Sequence, residues 1–181
     1  MEVEIRAKVK DPKEIRRKLE AMGAEFGKEK KQVDYIFKRK GEEKKEQKPG
    51  DFILRIRDSD KKTFTFKALT DVTGAWEEYQ TAIDSPEQMR KILEKIGFTN
   101  SLTMTKKRTQ AKLDDFEVCL DNVKGLGPHI EVELQSEDKN EAKKRILELL
   151  GKMGINEGDV EHKGYVTLLF EKQGVKYKGT G

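Results

Sequence analysis

The stretch Glu2-Val3-Glu4-Ile5-Arg6-Ala7-Lys8-Val9 at the start of the chain decides how the rest of the sequence is interpreted. In a β-strand successive side chains point to opposite faces, so the charged residues share one face and the apolar residues share the other. The charged face carries two acids and then two bases, a pattern suited to holding a metal ion beside an anion. The same acidic alternation returns late in the chain as Glu131-Val132-Glu133-Leu134.

The composition is that of a highly charged globular protein. The chain has 181 residues, of which 34% are hydrophobic and 40% are charged, and this length lies within the usual range of a single domain. A charged fraction above the average of roughly 25%, dominated by Glu and Lys, is typical of hyperthermophile proteins, which favour surface ion-pair networks. The net charge is only +4, so composition by itself does not indicate a nucleic-acid partner.

Several classes of protein are excluded or disfavoured by the sequence. The single cysteine, Cys119, excludes an internal disulfide and a multi-cysteine zinc site. No apolar run in the sequence is long enough to span a membrane, and we find no signal peptide before the first charged strand. We therefore expect a soluble, cytoplasmic, thermophilic protein with no membrane partner.

A unit of strand, helix and strand recurs three times in the pattern of apolar residues. The first two helices are predicted to begin at Asp11-Pro12 and Ser85-Pro86, because a capping side chain followed by proline marks a helix start. The helices are predicted over 12–23, 86–97 and about 140–154. The strands are predicted over 2–10, 32–37, 52–57, 62–68, 77–83, 104–108, 112–121 and 130–135, with 165–170 as a final strand or short helix. The Lys- and Glu-rich segment 38–50 is predicted to be a long, mobile hairpin loop.

Each predicted strand has one apolar face and one strongly polar face, and three amphipathic helices are available to cover apolar sheet. Two architectures satisfy this pattern. An open sheet would leave its polar face in solvent, which is the commoner arrangement. A closed or nearly closed antiparallel barrel would turn the polar faces toward each other across a wet interior and remove the sheet edges. Periodicity alone slightly favours the open sheet.

The polar faces supply carboxylates and cations that together suit a metal-bound polyphosphate. Oxygen ligands clustered without His or Cys suit the hard cations Mg²⁺ or Mn²⁺, and strand-borne Arg and Lys can grip phosphate oxygens. The acidic candidates are Glu2, Glu4, Glu78, Asp121, Glu131 and Glu133. The basic candidates are Arg6, Lys8, Arg55, Arg57, Lys67, Lys106 and Arg108. Any one such face is commonly a solvated surface, but six of them in one chain shift the balance toward a binding site.

These positions resemble the CYTH family of triphosphate tunnel metalloenzymes, which includes class IV adenylyl cyclases and thiamine triphosphatases. The opening Glu2-x-Glu4-x-Arg6-x-Lys8 matches the family signature Glu-x-Glu-x-Lys-x-basic, with Arg6 in place of the usual Lys. Residues 32–37 resemble the Gln-x-Asp-x-Tyr-Phe segment of the cyclase-like branch, with one extra residue before Phe37. Further matches, in the family's order and over nearly the whole chain, are 54–57, 64–67, 106–108 and, most specifically, 121–133.

The resemblance implies an α+β fold, a closed eight-stranded antiparallel β-barrel that forms a tunnel with a polar interior and helices packed outside. It implies one tunnel domain over 1–172 and a C-terminal tail over 173–181. It also implies that divalent ions, Mg²⁺ or Mn²⁺, are held by Glu2, Glu4, Asp121, Glu131 and Glu133, with Glu78 matching the family's mid-chain acid. The basic candidates would line the tunnel and bind the triphosphate.

Residues for the reaction itself are assigned within this set. We assign catalytic roles to Glu2, Glu4, Lys8 and Arg57. The sequence departs from the family on either side of Glu78, because Trp76 stands where an Arg is common and Gln80 where a second acid is common.

Three functions stay open. The first is a class IV adenylyl cyclase-like reaction, in which the 3′-hydroxyl of ATP attacks the α-phosphorus and pyrophosphate leaves. The second is hydrolysis of inorganic triphosphate, thiamine triphosphate or a nucleoside triphosphate, in which water attacks the terminal phosphorus. The third is a non-enzymatic protein that binds polyphosphate or nucleic acid, which gives no reason for the carboxylates. A homodimer formed through outer apolar strands is also considered, because three helices do not cover a whole barrel.

Overall fold

The computed structural model describes residues 2–46, 48–69 and 76–175, except for the side chains of Glu2 and Trp76. In chain order the elements are β1 (Glu2–Lys8), α1 (Pro12–Ala21), β2 (Glu25–Phe26), β3 (Lys30–Arg39), β4 (Phe52–Asp58), β5 (Thr63–Leu69), β6 (Trp76–Ala82), α2 (Pro86–Lys95), β7 (Phe98–Leu113), β8 (Phe116–Val123), β9 (Gly127–Gln135), α3 (Lys139–Lys152), β10 (Val160–Glu161) and α4 (Tyr165–Lys172). A 3₁₀ turn, Glu157–Asp159, precedes β10. The elements fall into two compact units. Unit 1 comprises residues 1–30 and 106–162, and unit 2 comprises residues 31–105 and 163–181.

Unit 1 is an antiparallel sheet with helices α1 and α3 against its apolar face. The strands pair in the order β10-β1-β9-β8-β7, and β2 pairs with β7 as well. Leu19 of α1 and Ile146 of α3 are fully buried against Val118 and Val132 from the middle of the sheet. This burial leaves the opposite, charged face of the same strands available for a site, as the alternation predicted.

The helices of unit 1 begin where the sequence predicted because aspartate side chains cap them. Asp11 accepts hydrogen bonds from the backbone N–H groups of Lys13 and Glu14 at 3.0 and 3.1 Å. Asp138 caps α3 in the same way. Such a cap satisfies N–H groups that have no partner within the helix. Gly23 follows α1 with φ of +101°, in the left-handed region that favours glycine.

Unit 2 is an antiparallel sheet with apolar residues on both faces. β3 lies between β7 and β4, and the order continues through β5 to β6. Phe37 and Leu54 pack against Leu93 of α2 on one face. Ile36, the neighbour of Phe37 in the chain, packs against Phe170 of α4 on the other face. Segment 165–170, predicted as a strand or a short helix, is therefore helical.

The predicted bounds of two strands and of one loop need correction. The segments 104–108 and 112–121 were predicted as separate strands, but β7 runs without a break from Phe98 to Leu113. The turn follows instead at Asp114, whose φ of +53° is left-handed and is tolerated by aspartate better than by bulkier residues. The predicted loop 38–50 also starts too early, because Lys38 and Arg39 belong to β3.

The predicted fold class is confirmed only in its coarser form. The protein is a mixed α+β structure with an antiparallel sheet and four described α-helices. Within the described residues, the hydrogen-bonded strand order starts at β10 and ends at β6, so closure into an eight-stranded barrel is not confirmed. None of the described helices has the length and hydrophobicity needed to cross a membrane.

The core of unit 1 is expected to carry much of its stability. Leu150→Ala removes a side chain that is 1% exposed, and we expect it to lower the free energy of unfolding by about 2–5 kcal/mol. Ile92→Ala on α2, where Ile92 is 51% exposed, is the control and should change it by less than about 0.5 kcal/mol. Guanidinium denaturation followed by circular dichroism measures both. Equal effects of the two substitutions would contradict this description of the core.

Candidate functional site

The charged face of the unit 1 sheet brings together most of the residues predicted from its strands. The register places Arg6 opposite Glu131, Glu4 opposite Glu133, and Arg108 opposite Asp121. Residues directly opposite each other on antiparallel strands point to the same face, so these pairs follow from the register alone. We call this set the unit 1 cluster: Glu4, Arg6, Lys106, Arg108, Asp121, Glu131 and Glu133.

Asp121 is a buried acid of the unit 1 cluster that contacts two of its cations. Arg108 donates to it through Nε and Nη2, both at 2.7 Å, and Lys106 Nζ lies 3.1 Å from its Oδ2. Asp121 is 2% exposed and Lys106 is 4% exposed. A carboxylate buried this deeply needs such partners, since an unpaired buried charge is very costly. Asp121 therefore orients Arg108 and Lys106, and its predicted role as a metal ligand stays a prediction.

Glu131 is buried and contacts two arginines. Arg108 Nη2 lies 2.6 Å from Oε1 of Glu131, and Arg6 Nε lies 2.9 Å from Oε2. Burial alone would raise the pKa of Glu131, but Arg108, Arg6 and Lys106 lower it to about 2. Burial also opposes the charge of Arg108, yet hydrogen bonds to Asp121 and the charge of Glu131 raise its pKa above the ordinary value. Glu131 and Arg108 therefore stay charged at neutral pH.

Three carboxylates of the unit 1 cluster lie close enough together to hold a metal ion. Oxygens of Glu4, Glu131 and Glu133 all lie within 4.8 Å of one another. Arg6 also contacts Glu4, but the acids of the cluster still outnumber its cations by one. A donor set made of oxygens with residual negative charge fits Mg²⁺ or Mn²⁺. Glu2 belongs to β1 with Glu4, but its side chain is outside the described part of the chain.

A second group of three potential ligands shares Glu133. Glu117, Cys119 and Glu133 each place one donor atom within 4.8 Å of the others. Burial, together with the charges of Glu131 and Asp121, raises the pKa of the Cys119 thiol to about 12, although Arg108 opposes this shift. A protonated thiol is a poor ligand for Mg²⁺. This group therefore adds nothing to the predicted site.

Lys8 does not join the unit 1 cluster. Its side chain is 66% exposed, and its Nζ lies 3.6 Å from Glu161 of β10. Glu161 was not singled out from the sequence, because β10 has only two residues and shows no alternation. The predicted catalytic and phosphate-binding roles of Lys8 stay predictions.

Unit 2 carries a second charged group, which we call the unit 2 cluster: Asp34, Arg55, Arg57, Lys67 and Glu78. The register again pairs opposite charges, with Asp34 opposite Arg57 and Lys67 opposite Glu78. Arg57 donates through Nε and Nη2 to the two oxygens of Asp34, both at 2.7 Å. Asp34 is 1% exposed. This bidentate pair fixes the direction of the Arg57 guanidinium.

Arg55 is held more loosely than Arg57. Its Nη2 lies 3.2 Å from Glu78 Oε1, 3.3 Å from Thr65 Oγ1 and 3.5 Å from Gln80 Oε1. Its Nε is buried without a hydrogen-bond partner. Burial and the neighbouring charge of Arg57 lower the pKa of Arg55, although Asp34 and Glu78 oppose the shift. Arg55 is thus a half-buried cation whose Nε donor is not satisfied by a hydrogen bond.

No functional role is predicted for Asp34 from the sequence, although it lies in segment 32–37, which resembles the cyclase-like branch. A signal was available, since Asp34 and Arg57 share the polar faces of two predicted neighbouring strands. Gln80, noted as a departure from the family, accepts a hydrogen bond from Thr65 Oγ1 at 3.1 Å. Glu78 contacts both Arg55 and Lys67, the latter through Oε2 at 3.0 Å. Its predicted metal role therefore stays a prediction, and its described partners are cations.

Comparison with known proteins agrees with the sequence motifs. A model of the CYTH domain family matches residues 1–165. A Methanocaldococcus jannaschii protein with the name "putative adenylate cyclase" is 33% identical over 174 residues, which are 93% of this chain and 98% of that protein.

Solved structures share the fold. The structure of a protein from Pyrococcus horikoshii OT3 is 27% identical, with a TM-score of 0.77 over 92% of this chain and 98% of that chain. A Hippeastrum protein, described as a "putative adenylyl cyclase" that "reveals a dominant" triphosphatase activity, has a TM-score of 0.68 over 96% of both chains. It is 19% identical, so this likeness is one of fold.

The pair of Asp34 and Arg57 is expected to stabilise unit 2 strongly. Asp34→Asn removes the charge of an almost fully buried acid, and we expect the free energy of unfolding to fall by about 3 kcal/mol. Asp115→Asn is the matched control, because Asp115 pairs with Arg145 at the same 2.7 Å but is 51% exposed. That change should cost less than about 1 kcal/mol. Urea denaturation measures both, and a similar small loss for each would contradict the structural role of Asp34.

Proposed function

We propose, from the premise that this chain belongs to the CYTH domain family, that it is a divalent-metal-dependent enzyme acting on a triphosphate. The favoured reaction is that of a class IV adenylyl cyclase, which converts ATP to cyclic AMP and pyrophosphate. The observation that carries the proposal is the unit 1 cluster, in which carboxylate oxygens of Glu4, Glu131 and Glu133 lie within 4.8 Å of one another and the half-buried Arg108 contacts Glu131.

The metal would be held by Glu4, Glu131 and Glu133, with Glu2 as a further ligand from the same strand. When bound, a divalent cation neutralises phosphate charge and holds the phosphate oxygens in place. The protein's own contribution is to keep these carboxylates ionised. The low pKa of Glu131, caused mainly by Arg108 and Arg6 against the effect of burial, supports this role.

The cations of the unit 1 cluster would bind and orient phosphate oxygens. Asp121 and Glu131 fix Arg108 by three contacts of 2.6–2.7 Å, so little side-chain entropy remains to be lost when a phosphate binds. Lys106 is buried beside it. Positioning and charge stabilisation are the main requirements of phosphoryl chemistry.

The cations of the unit 2 cluster are also suited to binding phosphate oxygens. Asp34 occupies Nε and Nη2 of Arg57 and thereby orients the remaining N–H groups of that guanidinium. Arg55 retains an unsatisfied Nε, and Lys67 lies on the adjacent strand β5. We propose that these three residues bind phosphate oxygens.

Hydrolysis of a triphosphate is the second candidate, and one observation favours it. All the charged residues in the two clusters suit phosphate or metal, and none of them distinguishes adenine from another group. The Hippeastrum protein is described as having a dominant triphosphatase activity, while the name of the M. jannaschii relative favours the cyclase. The relative shares 33% of its residues with this chain, so we place the cyclase first.

The two reactions release different products. Incubation with ATP, and separately with inorganic triphosphate, in Mg²⁺ or Mn²⁺ is followed by phosphorus NMR. Cyclic AMP with pyrophosphate from ATP supports the cyclase, and orthophosphate from either substrate supports hydrolysis. Chelation with EDTA should abolish both. An absence of products from both substrates with either ion would overturn the proposed function.

The metal role of Glu4 gives a sharper prediction. Glu4→Gln keeps the shape of the side chain but removes an anionic ligand, so we expect metal-dependent turnover to fall by about 100-fold or more. Glu20→Gln is the control, because Glu20 is exposed on α1 and pairs only with Arg16 among its described contacts. Its turnover should be unchanged. Circular dichroism checks that both variants are folded, and full activity of folded Glu4→Gln would remove the metal role.

A further inference from the structure

Glu78 joins two cations of unit 2 through its two carboxylate oxygens. Oε1 lies 3.2 Å from Arg55 Nη2, and Oε2 lies 3.0 Å from Lys67 Nζ. The second contact follows from the register, since Lys67 and Glu78 are directly opposite each other on β5 and β6. One carboxylate thus bridges two cations on different strands, as two oxygens of a phosphate group would.

The three partners differ in exposure. The side chain of Glu78 is 37% exposed, that of Lys67 is 24% exposed and that of Arg55 is 15% exposed. An anion that leaves this contact can be hydrated immediately, whereas the guanidinium of Arg55, the least exposed of the three groups, has less access to water. Arg55 therefore needs an anion beside it, and Glu78 is the partner that can be exchanged.

The hydrogen bonds of Arg55 also indicate that Glu78 can be exchanged for another anion. Its Nη2 shares three acceptors at 3.2–3.5 Å, and its buried Nε has none. Arg57, on the same strand, makes two bonds of 2.7 Å with Asp34. Charge-assisted bonds of an arginine are normally close to the shorter value. The bridge made by Glu78 therefore satisfies Arg55 only in part, and an anion with more oxygens would satisfy it better.

We propose that Glu78 is an internal counter-ion. It occupies the phosphate-binding site formed by Arg55 and Lys67 and is displaced when the triphosphate binds. The identity of the entering anion rests on the proposed function, and the counter-ion role rests on the contacts of Glu78. Glu78 then sets the affinity of this phosphate-binding site for anions, because every anion that enters must break the same two ion pairs.

The counter-ion role differs from the metal-ligand role predicted from the sequence. Both oxygens of Glu78 face positive groups, which would repel a divalent cation at the same place. Neither group of potential metal ligands found in the described part of the chain includes Glu78. A metal ligand helps the metal-bound substrate to bind, whereas a counter-ion competes with the substrate. The two roles therefore predict opposite effects of removing the charge.

The test compares Glu78→Gln with Glu77→Gln. Glu77 is the neighbouring acid on the same strand, is exposed, and accepts a hydrogen bond from Tyr79 rather than contacting the cluster. Both variants change the net charge equally, so long-range electrostatic effects are matched. Titration calorimetry with inorganic triphosphate in EDTA measures binding without metal and without turnover.

We expect Glu78→Gln to bind inorganic triphosphate about threefold to tenfold more tightly than the wild-type protein, because two partly exposed ion pairs no longer compete. Glu77→Gln should bind like the wild type. Unchanged or weaker binding by folded Glu78→Gln overturns the counter-ion role, and weaker binding that appears only with Mg²⁺ supports a metal ligand instead.

A second measurement separates this proposal from the proposed function. Sulfate, compared with chloride at equal ionic strength, should raise the melting temperature of Glu78→Gln at least about 2 °C more than that of Glu77→Gln, because sulfate replaces the lost carboxylate. If no variant binds triphosphate but sulfate acts selectively, the counter-ion role stands and the triphosphate function falls. If sulfate affects both variants equally, the counter-ion role falls.

Discussion

Pairing of opposite charges across neighbouring strands is the interaction on which the polar faces of both units depend. Asp121 is 2% exposed, and burying its charge would be very costly without Arg108 and Lys106. The same holds for Asp34 without Arg57. Each pair is imposed by the register, so the backbone ladder and the charge pattern must agree. A slip of one residue would turn the charges toward the helices and bury them without partners.

The same constraint divides the charged residues into two kinds. Asp121 and Asp34 have their charge matched by cations at about 3 Å or less and serve to orient those cations. Glu133 and Glu4 belong to a group with more negative than positive charge, and Arg55 has an unsatisfied Nε. Both kinds contribute to the proposed function, because the orienting acids position Arg108 and Arg57 for phosphate oxygens, while the excess negative charge and the unsatisfied Nε add attraction for metal and phosphate.

The sequence predicted the faces well because alternation is a local property. Glu4, Arg6 and Arg108 lie where period two placed them, and the capped starts of α1 and α2 follow from short motifs. Partners across strands were harder to predict, since they depend on register over more than a hundred residues, as for Arg6 and Glu131. β10 left no trace in the sequence pattern because two residues show no period, and Glu161 was missed with it.

The division also bears on the two reactions considered in the proposed function, cyclase and hydrolase chemistry. Orienting acids, such as Asp121 and Asp34, fix the cations in either case, because both reactions stabilise charge on phosphate oxygens. What differs is the nucleophile, a ribose hydroxyl or water, and the phosphorus atom that it attacks. Under the proposed function, selectivity would arise from groups that hold the nucleoside and align its 3′-hydroxyl. Residues outside the two clusters can change the reaction while the charged faces stay the same.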